Sequence, residues 1–377
     1  MTFSLPMAEL TQSCVEASLK GVPVEDSIKK TALQSLAVLL EPVVSAERNL
    51  PYAAYSRLTP TGFPVEVSFG NPSNELRFVT EIGGSFSLAE QRLALGAERF
   101  HALGHVVNPS LLAWCEELQK GQKLKFGAWT SIQVSDSTQD FKLYVEIPPE
   151  AHAVAMQEFN PPGDLADHLT EHGARLTMLG LPDDDEIEFY FDLNGIRLTE
   201  LPYLYQKLGV SVGSHAIIEA LETVCGSYLK RAINSRQNVL CFKRTNCGDW
   251  VMTLFCQADD LFSSGAQTRK ALLNAAPFLG CDLSDYEAFS QSVAQEICEN
   301  RHCMLAFTPQ ANGQVDLRVG LSPTPPKEAC LDIDSAHLVI ASEQPRYFEP
   351  QVSVSAIPAH ISAFLKDFPI GLRLSKK

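Results

Sequence analysis

The sequence is short of positive charge. Its 377 residues hold 30 Lys and Arg against 45 Asp and Glu, a formal net charge of −15. Nucleic acid and anionic membrane surfaces attract basic protein, so a general binder of either is excluded, whereas a small anion held by a few local cations is not. No apolar run approaches the ~20 residues that a membrane-spanning helix needs. The N-terminal "MTFSLPMAELTQSC" has no basic stretch leading into an apolar core, so no secretory signal is expected. Ten cysteines follow no regular spacing, which points to reduced thiols in a cytosolic protein rather than to a disulfide framework. Gly-x-Gly-x-x-Gly, Walker and Gly-x-Ser-x-Gly motifs are all missing, so neither a nucleotide fold nor a serine-hydrolase elbow is supported. His101/His105 and His168/His172 lack the acid of the zinc-protease motif, and Cys298/Cys303 have no answering pair, so no metal site is expected.

What is present is a hydrophobic content of 45%, enough for a large core, and a repeated pattern. "TPTGFPVEVSFGNPSNELRFVTEIGG" (59–84) reads as two strands around a turn. Four further hairpins follow, giving five near 62–82, 122–147, 174–193, 237–257 and 302–321. The last turns at Asn312-Gly313, a strong hairpin signal. The spacing of roughly 50 to 65 residues is a repeat signature. Helical patterns fill the gaps, among them 87–104, where Ser87 and Glu90 have capping-box spacing, "SLLAWCEELQKG" after Asn108-Pro109, and 214–233. A last helix is expected near 357–367.

Within the hairpins, apolar and polar residues alternate. Leu76, Phe78 and Ile82, Phe141 to Ile147, Ile187 to Leu193 and Val315 to Leu321 supply one face. Arg77 and Glu81, Lys142, Tyr144 and Glu146, Glu186, Glu188, Tyr190 and Asp192, and Asp316 and Arg318 supply the other. Ten antiparallel strands separated by helices must hide their apolar faces under those helices. An open sheet leaves exposed edges, whereas a closed barrel does not. The expected fold is therefore α+β: a ten-stranded antiparallel barrel inside a ring of helices, one domain over 1–377. Its polar face then looks into a barrel too wide for side chains alone to fill. A sheet with helices on one face and water on the other is the alternative.

At the level of residues, "SRLTPTGFPVEVSFGNPSNELRFVTE" resembles the first hairpin of the aromatic prenyltransferases of the αββα-barrel type, indole (dimethylallyl-tryptophan) branch. Pro64, Glu66 and Ser68 match a Pro-x-Glu-x-Ser strand, and Arg77 matches the arginine of its partner. "FKLYVEIPP" supplies the Lys-x-Tyr of the next hairpin as Lys142 and Tyr144. The resemblance in layout covers roughly 50–322, and the residue match is confined to the first two hairpins. It implies an enzyme that moves a prenyl group from an allylic diphosphate to an aromatic small molecule, with no cofactor required. Glu66 would accept a proton from the acceptor, typically an indole N–H. Lysine and arginine would hold the diphosphate, and tyrosines would shield the allylic cation. Arg77, Lys142 and Arg318 sit at comparable inward positions, and Lys125 is expected to join them from a first strand. Tyr144 and Tyr190 are the expected shield, with Trp129 and Glu188 in the acceptor pocket.

The third hairpin departs from that pattern. The family's Arg-x-Lys-x-Tyr reads Glu186-x-Glu188-x-Tyr190 here, and Gly320 stands where a tyrosine would follow Arg318. Two like charges in a chamber with an effective dielectric near 20 repel by about 4 kcal/mol at 4 Å. Either a cation such as Mg²⁺ offsets them, the register is different, or the ligand is not a diphosphate. In the second reading Glu66, Glu146, Glu186, Glu188, Asp192 and Asp316 favour a cationic or amine-bearing substrate. The acidic "PDDDEIE" and the basic "KRTN" (243–246) read as solvated turns.

Overall fold

A computed structural model describes residues 7–40, 56–71, 74–83, 87–160, 164–183, 186–193, 200–208, 213–226, 229, 238–244, 248–291, 300–310, 312–323, 338–340 and 350–352. Ten strands close into an antiparallel barrel: β1 (Val65–Phe69), β2 (Leu76–Glu81), β3 (Ala128–Val134), β4 (Gln139–Glu146), β5 (Arg175–Pro182), β6 (Glu188–Leu193), β7 (Asn238–Arg244), β8 (Trp250–Gln257), β9 (His302–Pro309) and β10 (Val315–Leu321). Each pairs with its neighbours in sequence, and β1 closes on β10 through Val67↔Leu321, Ser68↔Gly320 and Phe69↔Val319. A separate antiparallel ribbon, β11 (Leu338–Ile340) with β12 (Pro350–Val352), has no counterpart in the sequence reading. The helix expected near 357–367 lies outside the described residues.

The helices on the outside are α1 (Met7–Leu19), α2 (Asp26–Leu40), α3 (Ala89–Ala102), α4 (Pro109–Gln119), α5 (His152–Glu158), α6 (Leu165–Glu171), α7 (Leu201–Lys207), α8 (Gly213–Cys225), α9 (Ala258–Leu261), α10 (Gly265–Leu279) and α11 (Ser284–Phe289). In α2, Ile28, Ala32, Leu36 and Leu39 recur at helical spacing and are buried against β2 and β3. This helix leads the first repeat. In α4, Asn108 caps the first turn by accepting from the Ser110 and Leu111 N–H groups, with Pro109 at the first helical position. The capping box expected at Ser87 does not form: α3 starts one residue later, with Leu88 as its N-cap and no side-chain cap bond. None of the described helices is long and apolar enough to cross a membrane.

Helices therefore cover the outer barrel face. Val65, Val67, Phe78, Leu143, Phe191, Leu317 and Val319 are fully buried there, each such side chain contributing about 1.5–3 kcal/mol over an exposed one. The inner face differs: Glu66, Arg77, Trp129, Lys142 and Arg318 all keep partial exposure. With the outer face sealed, that exposure is to the interior and its mouth. All five hairpin turns lie at one end of the barrel, the turn end. The opposite end is closed by the loop 56–63. Glu81 binds that loop, accepting from Ser56 Oγ at 2.5 Å and from the Arg57 N–H at 2.9 Å, while α3 sends Arg92 to the same carboxylate at 2.5 Å.

Candidate active site

The inner face is layered along the barrel axis. Nearest the closed end is an apolar and aromatic floor. Val79, Tyr144, Tyr190 and Cys241 form one buried cluster, with Leu58 from the plug loop, Trp129, Met178, Val239 and Phe255 packed against it. The rings of Tyr144 and Tyr190 meet edge to face at 5.8 Å, and Tyr190 is 5.9 Å from Phe255. Trp129 stacks on Phe126 at 3.9 Å, so one of its faces is already covered. Its indole N–H finds no hydrogen-bond partner among the described residues.

Glu66 lies at the level of this floor. It accepts from Ser68 Oγ at 3.0 Å, and the Cys303 thiol lies beside it. A bulge brings Cys303 there: between Val319↔Leu305 and Leu321↔His302, β9 carries one residue more than β10. The carboxyl lies over Gly320, where a Cβ would come within 2.5 Å of Glu66 Cδ. The tyrosine that the sequence pattern calls for at that position would occupy the space of the carboxylate. Burial raises the pKa of Glu66 above the usual carboxylate value, against the opposing pull of Cys303, Ser68 and Arg77.

Toward the turn end lies a charged layer. Arg77 donates to the Tyr144 hydroxyl and, at 3.2 Å, to Ser131 Oγ. Burial works against its charge, but Tyr144, Tyr190, Glu188 and Glu66 together outweigh burial and hold it cationic. Lys142 Nζ is 2.7 Å from Glu188 Oε1, and the Tyr190 hydroxyl donates to Glu188 Oε2 at 2.5 Å. Desolvation alone would raise the Glu188 pKa; Lys142, Tyr190 and Arg77 reverse it, so Glu188 stays a carboxylate. Arg318 donates to Glu75 at 2.8 Å and to Gln133 Oε1 at 3.0 Å, and Gln133 Nε2 closes the triangle on Glu75 at 2.8 Å. Burial and the nearby Arg77 lower the Arg318 pKa, against Glu75, Asp316 and Tyr144. Lys243 Nζ is 2.6 Å from Glu186 Oε2.

Arg77, Lys142, Tyr144, Tyr190, Glu188, Arg318, Trp129 and Glu66 thus share one interior. Several sequence expectations need correction. Lys125 is not on a strand. It lies in the loop before β3, its backbone N–H donating to both Glu146 oxygens at 2.9 Å, and its charge acts on Asp192 near the closed end. Glu146 is not a substrate acid either, because its carboxylate is spent on the backbone N–H groups of Lys125, Phe126 and Gly127. Lys243, read as part of a solvated turn, is an inward residue of β7 that neutralises Glu186. The acids at 186 and 188 are therefore offset by lysines of this chain. Glu75 and Gln133 were missed; Gln133 shares the inward parity of Trp129 and Ser131, whereas Glu75 precedes its strand and carries no periodic signal. Among the described residues no group of three or more His, Cys, Asp and Glu side chains could hold a metal ion, and Cys115, Cys225, Cys241, Cys256, Cys281 and Cys303 are unpaired thiols.

No protein-family profile and no curated protein sequence matches the chain. Solved structures do match in fold. 5-Dimethylallyl tryptophan synthase from Streptomyces coelicolor, in complex with DMASPP and Trp, superposes with a TM-score of 0.70 at 15% identity, over 91% of this chain and 100% of that one. 6-Dimethylallyltryptophan synthase from Micromonospora olivasterospora, also in complex with DMASPP and Trp, gives 0.65 at 18%, over 86% and 100%. AnaPT from Neosartorya fischeri gives 0.63 at 13%, over 86% and 95%. The chain has the ten-stranded αββα-barrel fold of these three structures.

Proposed function

We propose that this chain transfers a prenyl group from an allylic diphosphate to an aromatic, indole-like small molecule inside the barrel. One observation carries the reading: cations lie toward the turn end, and below them a single floor holds both the aromatic rings and the Glu66 carboxylate. Arg77, Lys142 and Arg318 receive the diphosphate, whose C–O bond breaks with the electron pair leaving on oxygen. The allylic cation left behind faces Tyr144 and Tyr190, whose ring quadrupoles favour positive charge. The acceptor ring attacks through carbon, and Glu66 takes its N–H proton. Burial makes Glu66 a stronger base than an exposed glutamate. In balance, donor and arene give prenylated arene, diphosphate and one proton.

A second reading draws on the ion pairs. Lys142, Lys243 and Arg318 already face carboxylates of this chain, which favours a barrel that binds or modifies an amine-bearing aromatic without a diphosphate. Titration calorimetry with dimethylallyl and geranyl diphosphates, with and without Mg²⁺, combined with mass spectrometry of mixtures containing indole acceptors, separates the two. The expected result is donor binding and an acceptor heavier by one prenyl unit. No heat from either diphosphate under any condition, while an amine-bearing aromatic binds, selects the second reading.

A further inference from the structure

Three carboxylates sit on three of the inward cations at the turn end, and two of these pairs are built alike. Lys142 on β4 reaches Glu188 on β6 across β5. At the crossing stands Gly180, where a Cβ would come within 2.9 Å of Glu188 Oε2. Arg318 on β10 reaches Glu75, just before β2, across the end of β1. Gly70 stands there, and a Cβ would come within 3.3 Å of Arg318 Nε. Each pair thus passes over an intervening strand where a glycine leaves room, and each is held from a third side, by Tyr190 or by Gln133. Arg77 differs. Among the described residues it makes no ion pair and bonds only the neutral Tyr144 and Ser131 hydroxyls.

We propose that Glu188 and Glu75 are built-in counter-anions: they occupy Lys142 and Arg318 in the ligand-free chamber, and a diphosphate reaches those two cations only by displacing them. This rests on the reading that these cations receive a diphosphate. Arg77, with no carboxylate to displace, is the first landing point for the anion. Glu188 and Glu75 are then residues that set donor affinity, and they act by competition. A carboxylate tethered to the barrel has a high effective concentration at its cation, so it weakens an external anion without blocking the site.

Calorimetry with inorganic pyrophosphate tests this on the full chain, comparing wild type with Glu188→Gln, Glu75→Gln and Glu117→Gln. The last makes the same charge change in an exposed pair with Lys120, at the C-terminal end of α4, and controls for net charge. Glu188→Gln and Glu75→Gln are expected to bind pyrophosphate about tenfold more tightly than wild type or more, with Glu117→Gln unchanged. Equal or weaker binding in both inner variants, or no binding by any protein, overturns the proposal. If one inner variant fails to fold, the other decides. Tighter pyrophosphate binding by Glu188→Gln in a protein that forms no prenylated product would leave this inference standing while prenyl transfer fell.

Discussion

Glu66 is surrounded by groups that favour its charge, yet burial outweighs them and its pKa is raised from 4.5. The stability consequence has a definite sign. A carboxyl whose folded-state pKa lies above its unfolded value contributes fully below about pH 4.5, and that contribution is lost as pH rises through the folded value. Glu66→Gln, uncharged at every pH, is therefore expected to unfold at higher temperature than wild type at pH 7.5, with the gap closing toward pH 4. Thermal melts across that range check it. The same substitution removes the proposed proton acceptor, so turnover should fall by about 10²–10⁴ with donor binding nearly intact; unchanged turnover would remove Glu66 from the mechanism. Gly320 enters the same argument through space. In Gly320→Ala the new methyl group meets Glu66 Cδ, and the flexible side chain yields before the strand does. The expected outcome is a tenfold or larger loss of turnover with an unaltered circular dichroism spectrum. Glu66 and Arg77 were legible in the sequence because they stand in a short motif of matching spacing. Cys303 was not, because the bulge that turns it inward breaks the alternation from which its direction would be read.

Among the elements, the hairpins behave as their alternation requires, and the loops before the strands do not. Lys125 looked like a strand residue because it precedes Ala128 in an apolar-polar run. Glu146, at the end of β4, gathers the 125–127 backbone into a turn, so β3 starts only at Ala128. Replacing it with Gln removes the charge that accepts from three backbone N–H groups and places an amide N–H₂ among donors. Glu146→Gln is expected to destabilise the fold by about 2–4 kcal/mol, read from the midpoint of urea unfolding, and a loss below 0.5 kcal/mol would reject this account. The distance between Glu188 and Lys142 was likewise hidden from sequence. They lie on strands separated by β5, and pairing across an intervening strand depends on the curvature of a closed wall and on the missing side chain at Gly180.

Over the whole molecule, a net charge of −15 surrounds a mouth in which cations and carboxylates nearly balance. Approach of a diphosphate is therefore opposed at long range, the reverse of the usual steering. Raising ionic strength from about 20 to 150 mM shortens the screening length to about 8 Å and should speed association of an allylic diphosphate; stopped-flow binding that slows with salt would contradict this. The sequence by itself determined the ten-stranded pattern, its repeat and the two faces of each strand, because a period of two and helix-length gaps are local properties of the chain. It also determined the motif that carries Glu66, Arg77, Lys142 and Tyr144. Only the tertiary structure decided that the polar faces enclose one interior, since closure is a pairing between β1 and β10, some 250 residues apart in sequence. It alone decided that the acids of the third hairpin meet lysines of β4 and β7, because charge compensation is a matter of distance between strands and no periodicity within one strand encodes it.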